Sequence, residues 1–157
     1  MKVLIALDYD PTSQKVAEIG YTTAKEMKAE VILLHVITDP AHYSSPEYSA
    51  IMGMQGYMDT SKVQTDSSEG LFNASKHFLN KIKLHLNDEA IQTMVREGDN
   101  DVAESILQAA KDRFADIIAL GSHSQKWLEN VLLGSITEKV IKNSPIPLLI
   151  VPIKSES

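Results

Sequence analysis

The sequence predicts an α/β protein built on a doubly wound parallel sheet of five strands. Three observations carry this. Short apolar runs rich in branched residues recur along the chain, and segments with an apolar stripe at helical spacing separate them. Most of these runs are apolar on both faces, as expected of strands covered by helices on both sides. Right-handed crossovers then reduce the possible topologies to a doubly wound sheet. In such sheets ligands bind beyond the carboxyl ends of the strands, where the winding reverses.

Residues 2–7 (Lys-Val-Leu-Ile-Ala-Leu) form the first run and stop at Asp8-Tyr-Asp-Pro11. Asp10 followed by Pro11 reads as an N-cap with proline at the first helical position. Val16, Ile19, Thr23, Ala24 and Met27 then make one helical stripe. Residues 31–37 are the second strand, ending at Thr38-Asp39-Pro40. From there to about Ser68 periodicity is lost, in a stretch with two prolines, two glycines and Met52, Met54 and Met58. It reads as a long loop or partly helical lid, a kind of segment that is often functional. Leu71, Ala74, Phe78, Ile82 and His85, widened by Leu79 and Leu86, mark the second helix, ended by Asn87-Asp88.

Residues 90–97 alternate Ile91, Thr93 and Val95 against Gln92, Met94 and Arg96, a strand with one more exposed face at the sheet edge. Gly98 to Asp101 is a turn and cap. Val102, Ile106, Ala109 and Ala110 are the stripe of the third helix. Residues 115–120 form the fourth strand, running into Gly121. Residues 134–142 form the fourth helix, broken by Asn143-Ser-Pro-Ile-Pro147, and 148–151 form the fifth strand. The whole reads as one domain over 1–153 with a polar tail at 154–157. No internal repeat or interdomain linker interrupts it.

The 157 residues suffice to bury a core. The net charge of -6 disfavours general nucleic-acid binding, since an acidic surface repels a phosphodiester backbone. The absence of cysteine excludes disulfides, thiolate catalysis and Cys-ligated metal centres. The apolar N-terminal run is too short for a signal peptide or a membrane span, so a soluble cytoplasmic protein is expected.

The stretch from Gly121 to Thr137 is the most informative. It leaves a buried strand at a glycine and enters a helix through Gly134-Ser135. Glycine lets backbone approach a ligand closely, and a helix N-terminus offers unpaired N–H groups with a partial positive charge. Hydroxyls of Ser122, Ser124, Ser135 and Thr137 add donors. The result is a phosphate cradle; the competing reading is an ordinary strand-to-helix loop with an N-cap serine.

At this point the sequence resembles the universal stress protein family, over nearly the whole chain. Val3-Leu-Ile-Ala-Leu-Asp8 and Val31-Ile-Leu-Leu-His-Val36 carry the resemblance first. The C-terminal third carries it most strongly, with Pro145, Pro147 and the strand Leu148 to Val151. The family's nucleotide-binding motif is glycine, two residues, glycine, nine residues, then Gly-Ser or Gly-Thr. Gly121, Gly134 and Ser135 match it, and Ser124 stands at the second glycine.

The resemblance implies an adenine nucleotide alpha hydrolase-like, Rossmann-like sandwich that binds ATP, or AMP, for stress-response signalling. ATP usually brings a divalent cation such as Mg²⁺. It implies adenine contacts at Asp8, beside Ala6 and Leu7, and at Val36. Ribose and phosphate contacts fall to Gly121, Ser122, His123, Ser124, Gly134, Ser135 and Ile136, with Leu120 in the site just before them. A homodimer through the last strand, Leu148 to Pro152, is also implied, as is slow hydrolysis at most. At Ser124 a left-handed backbone would cost about 1–2 kcal/mol. A hydroxyl donating to phosphate would return about 1.5–3 kcal/mol. The alternative is a nucleotide-free dimer of the same fold that meets a protein partner.

Other features point to no catalysis. Asp8 and His123 are the only residues that would meet as an acid–base pair, and a loop histidine is more often solvated. His35, within a strand, reads as a satisfied core histidine. His42, His77 and His85 lack metal-ligand spacing. No Walker loop, G-x-G-x-x-G fingerprint or G-x-S-x-G elbow is present. Lys126 reads as solvated, and Trp127, Leu128, Val131, Leu132 and Leu133 as packing for the loop or a dimer contact.

Overall fold

The computed structural model describes residues 1–8, 11–37, 68–98, 101–122 and 134–153. Five strands, β1 (Lys2–Leu7), β2 (Glu30–Ile37), β3 (Gln92–Glu97), β4 (Ile117–Gly121) and β5 (Leu148–Val151), alternate with four helices among the described residues. These are α1 (Ser13–Glu26), α2 (Ser68–Leu86), α3 (Val102–Asp112) and α4 (Ser135–Asn143). The strands form one parallel sheet in the order β3-β2-β1-β4-β5. The winding therefore reverses between β1 and β4.

Strand pleating sends alternate side chains to two separate cores. Val3, Ile5, Val31, Leu33 and Ala119 face α1 and α2. Leu4, Ile32, Leu34, Ile118 and Leu120 face α3 and α4. Two helices thus cover each face, which is why β1 and β2 tolerate no polar face. β3 and β5 stand at the edges, as expected for β3. Thr93 to Arg96 are all half-buried, however, and only Gln92 and Glu97 are exposed. The expected exposed face is absent because α2 and α3 reach this edge from opposite sides.

Two helical faces differ from expectation. In α1 the buried residues are Ser13, Val16, Ala17, Gly20 and Ala24. Ile19 and Met27, both expected in the stripe, remain 38% and 36% exposed. Small residues set this face: a Cβ on Gly20 would lie 2.9 Å from Ile5 Cδ1 and 3.5 Å from Ala119 Cβ. The helix therefore lies close over β1 and β4, and its large side chains turn away. In α2, His85 is exposed rather than buried and meets Glu18 of α1 at 2.7 Å.

Helix α1 begins two residues later than expected, with Thr12 as N-cap and no side-chain cap hydrogen bond. Asp10, the expected cap, lies outside the described residues, as does the Met-containing stretch before α2. The cap expected before α3 is present: Asp101 accepts from the Glu104 N–H at 3.0 Å. Helices α1 and α3 close with matching C-terminal turns. Lys28 and Phe114 take φ 55, and Ala29 and Ala115 donate back to Ala24 and Ala110.

Candidate functional site

The register shows which residues share the carboxyl edge. Leu7 pairs with His35 and Ile5 with Ala119. Counting on along each strand, Asp8 stands level with Val36 on one side and Ser122 on the other. Gly121 pairs with Val151, so Pro152 continues the same row. Asp8 is exposed just past β1, Ala6 is half-buried, and Leu7, Val36, Leu120, Gly121 and Ser122 are buried. The residues expected at the ends of β1, β2 and β4 therefore meet at one edge, around the reversal between β1 and β4. His123, Ser124, Lys126 and Trp127 lie outside the described residues.

Helix α4 starts at this edge. Gly134 is its N-cap, so the serine of the competing reading is the first helical residue instead. Gly134 has φ -61 and ψ 154, ordinary extended backbone, so glycine is not required there by conformation. Lacking a side chain, it gives no cap hydrogen bond, and the first helical N–H groups have no side-chain acceptor among the described residues. Ser135 and Ile136 are exposed beside them. The buried Thr137 hydroxyl donates to the Gly121 carbonyl at 2.9 Å, fixing the helix start against the end of β4.

Further bonds hold the edge. The Ser122 N–H donates to the Val151 carbonyl at 3.0 Å, and the Ile153 N–H donates to Ser122 Oγ at 3.0 Å. Lys139, midway along α4, bonds Asp101, the cap of α3, and so joins the two helices. That lysine holds the Asp101 carboxyl below its ordinary value, with help from the Glu104 N–H. The Gly98 N–H donates to the Ile37 carbonyl at 3.0 Å, and the residue lies against Val36.

His35 is the described histidine nearest the edge, and it is structural as expected. It is buried, packs edge-on against Phe78 at 6.0 Å, and its Nδ1 lies 2.8 Å from the Leu7 carbonyl. A carbonyl only accepts, so Nδ1 carries the proton. Burial pushes the imidazole pKa down; the Leu7 carbonyl and Asp8 oppose this. Sequence reasoning missed Gly98, Lys139 and the tie from Thr137 to Gly121. The sequence marks Gly98 only as part of a turn and the Thr137 hydroxyl only as a ligand donor.

This is a doubly wound α/β protein whose loop-bearing carboxyl edge gathers glycine backbone, hydroxyls and a helix start at the topological reversal. The family model described as the Universal stress protein family matches residues 1–152, and the chain belongs to that family. Universal stress protein MJ0577 of Methanocaldococcus jannaschii is 32% identical over 156 residues, spanning 98% of this chain and 96% of its own. The solved structure of MJ0577 superposes with a TM-score of 0.64 at 28% identity, covering 99% of this chain and 97% of that one. A universal stress protein in complex with cAMP gives 0.62 at 15% identity, covering 97% and 96%. One from Archaeoglobus fulgidus in complex with dAMP gives 0.53 at 14%, covering 96% of each. The latter two likenesses are of fold. Among the described residues, no helix is long and apolar enough to cross a membrane.

Proposed function

We propose that the chain is a cytoplasmic regulatory protein of stress adaptation that binds ATP, or alternatively AMP, at the carboxyl edge between β1 and β4. The observation that carries this is that the start of α4, without a side-chain cap among the described residues, is tied through Thr137 to Gly121 at the edge where Asp8, Val36 and Ser122 stand level. Adenine lies between Asp8, with Ala6 and Leu7, and Val36. Ribose and phosphates lie over Leu120, Gly121, Ser122, His123, Ser124, Gly134, Ser135 and Ile136. The fit is chemical: a helix start and hydroxyls suit an anion, and a carboxylate at a strand end suits an amino group. The cAMP and dAMP complexes support a fold able to hold adenine nucleotides. Among the described residues no three His, Cys, Asp or Glu side chains gather to hold a metal. Any Mg²⁺ comes with the nucleotide, since ATP usually carries a divalent cation.

Calorimetric titration with Mg-ATP, after denaturing an aliquot to detect co-purified nucleotide, tests the reading. Saturable heat or released nucleotide is expected. An empty protein that gives no heat overturns it. Asp8→Ala should weaken binding about tenfold, the loss of one hydrogen bond to a charged group.

Ser124, at the motif's second glycine, favours a second reading: a nucleotide-free interaction module. Ser124→Gly gaining ATP affinity would identify backbone strain as the defect. In both readings the edge strand β5 pairs two chains through Leu148 to Pro152, since an open apolar edge is otherwise an aggregation hazard.

A further inference from the structure

Away from the carboxyl edge, a groove of about 440 Å³ runs between α3 and the turn after α4, walled by Leu107, Lys111, Phe114, Pro145 and Ile146. Phe114 is the unusual member. It occupies the position after the C-cap of α3 with φ 55, where glycine is the ordinary choice and a bulky side chain is strained. The turn does not need its ring. The bonds that close it come from the Phe114 and Ala115 N–H groups, and Ala110 and Ala115 are the buried pair beneath. The ring is 80% exposed. Backbone strain and solvated apolar surface thus coincide at one residue, on the rim of a groove.

The rim charges indicate what covers it. Glu104 and Lys111 are exposed on the same stripe of α3, seven residues apart with Leu107 and Gln108 between them. Neither forms an ion pair among the described residues. A second α3 laid antiparallel across a two-fold axis between Leu107 and Gln108 brings each Glu104 opposite a Lys111. It brings each Phe114 against the first turn of the opposing helix, where Val102 is half-buried. A two-fold contact must be self-complementary, and this stripe is.

We infer that the α3 face is a self-association surface, on which a second copy of the chain docks antiparallel through Glu104, Leu107, Gln108, Lys111 and Phe114. It lies away from the nucleotide edge, and the turn that walls its groove leads into β5. The chain has no cysteine, so Gln108→Cys introduces a single thiol next to the proposed axis. Mild oxidation should convert this variant to a covalent dimer at least about tenfold faster than Leu84→Cys. Leu84 is 64% exposed on α2, on the other side of the sheet. In the Gln108→Cys background, Glu104→Lys should slow the reaction about tenfold, as like charges then face each other. Adding Lys111→Glu should restore it. Phe114→Gly should also slow it while leaving the melting temperature equal or higher, because glycine suits the backbone there. Equal rates for the two thiols, or a double charge swap that restores nothing, would overturn the inference, whether or not the protein binds ATP.

Discussion

A Cβ at Gly98 would lie 2.3 Å from Val36 Cγ1. Valine is stiff about χ1, so it cannot step aside cheaply. Gly98→Ala should therefore cost about 1–3 kcal/mol in urea unfolding, in the range of core overpacking. If Val36 borders adenine, the same change weakens ATP binding, and unchanged affinity would separate Val36 from the site. His35 gives a second test. In the unfolded chain it titrates near 6.5, and burial lowers its pKa in the fold. Between those two values the unfolded chain holds the extra proton, so stability rises with pH there. The contribution is complete above 6.5 and falls by about 1.4 kcal/mol per unit below it, until the folded pKa is reached. Denaturant titrations between pH 7 and 5 should show this slope, and His35→Asn should flatten it. Asp88, Asp101 and Asp112 act lower: bonds from Ala90, Lys139 and Arg96 respectively are the largest causes holding each below 3.8. Their contribution is present above 3.8 and is lost only as pH falls through the lowered values.

Strands were read from sequence more closely than helical faces, and the reason is physical. β1 and β5 have the expected bounds because unbroken branched runs between turn residues suit a buried strand and little else. The face of α1 is rotated from the expected stripe because Ala17 and Gly20 pack by closeness beside Val16 and Ala24, while large residues dominate any apolar periodicity. His85 was misplaced because a surface bond to Glu18, on another helix, holds it outside. Caps were legible where the side chain does the work. Asp101 serves two partners, the Glu104 N–H of its own helix and Lys139 of α4. Asp101→Asn keeps an acceptor for the N–H and loses the ion pair; Asp101→Ala loses both. Thermal melts should therefore order wild type above Asn above Ala. An Ala variant equal to the Asn variant would show that the cap adds nothing beyond the charge. The loss should also reach α4, seen as faster amide exchange from Glu138 to Val140, the first hydrogen-bonded amides of that helix.

The alternation of strands and helices, with right-handed crossovers, is sufficient to anticipate the doubly wound sheet and its reversal between β1 and β4. The cross-links that shape the carboxyl edge there were not readable. Thr137 to Gly121, Ser122 to Ile153 and Gly98 to Val36 join segments distant in sequence, and each depends on strand order and register. These ties also make the candidate site a joint product of distant segments, because β1, β2, β4 and α4 must all be in place to form it. A nucleotide held there binds only the folded chain, so it raises stability by mass action. At a concentration of about 100 Kd the gain is about 2.7 kcal/mol. For a domain of this size each kcal/mol moves the melting midpoint by about 2–4 °C, which gives a rise of about 5–10 °C. Mg-ATP should produce that rise, inorganic phosphate a much smaller one, and Asp8→Ala should need about tenfold more ATP to match it. A midpoint that ignores saturating Mg-ATP, in protein shown to be free of bound nucleotide, would leave the fold intact as described and remove the ligand from it.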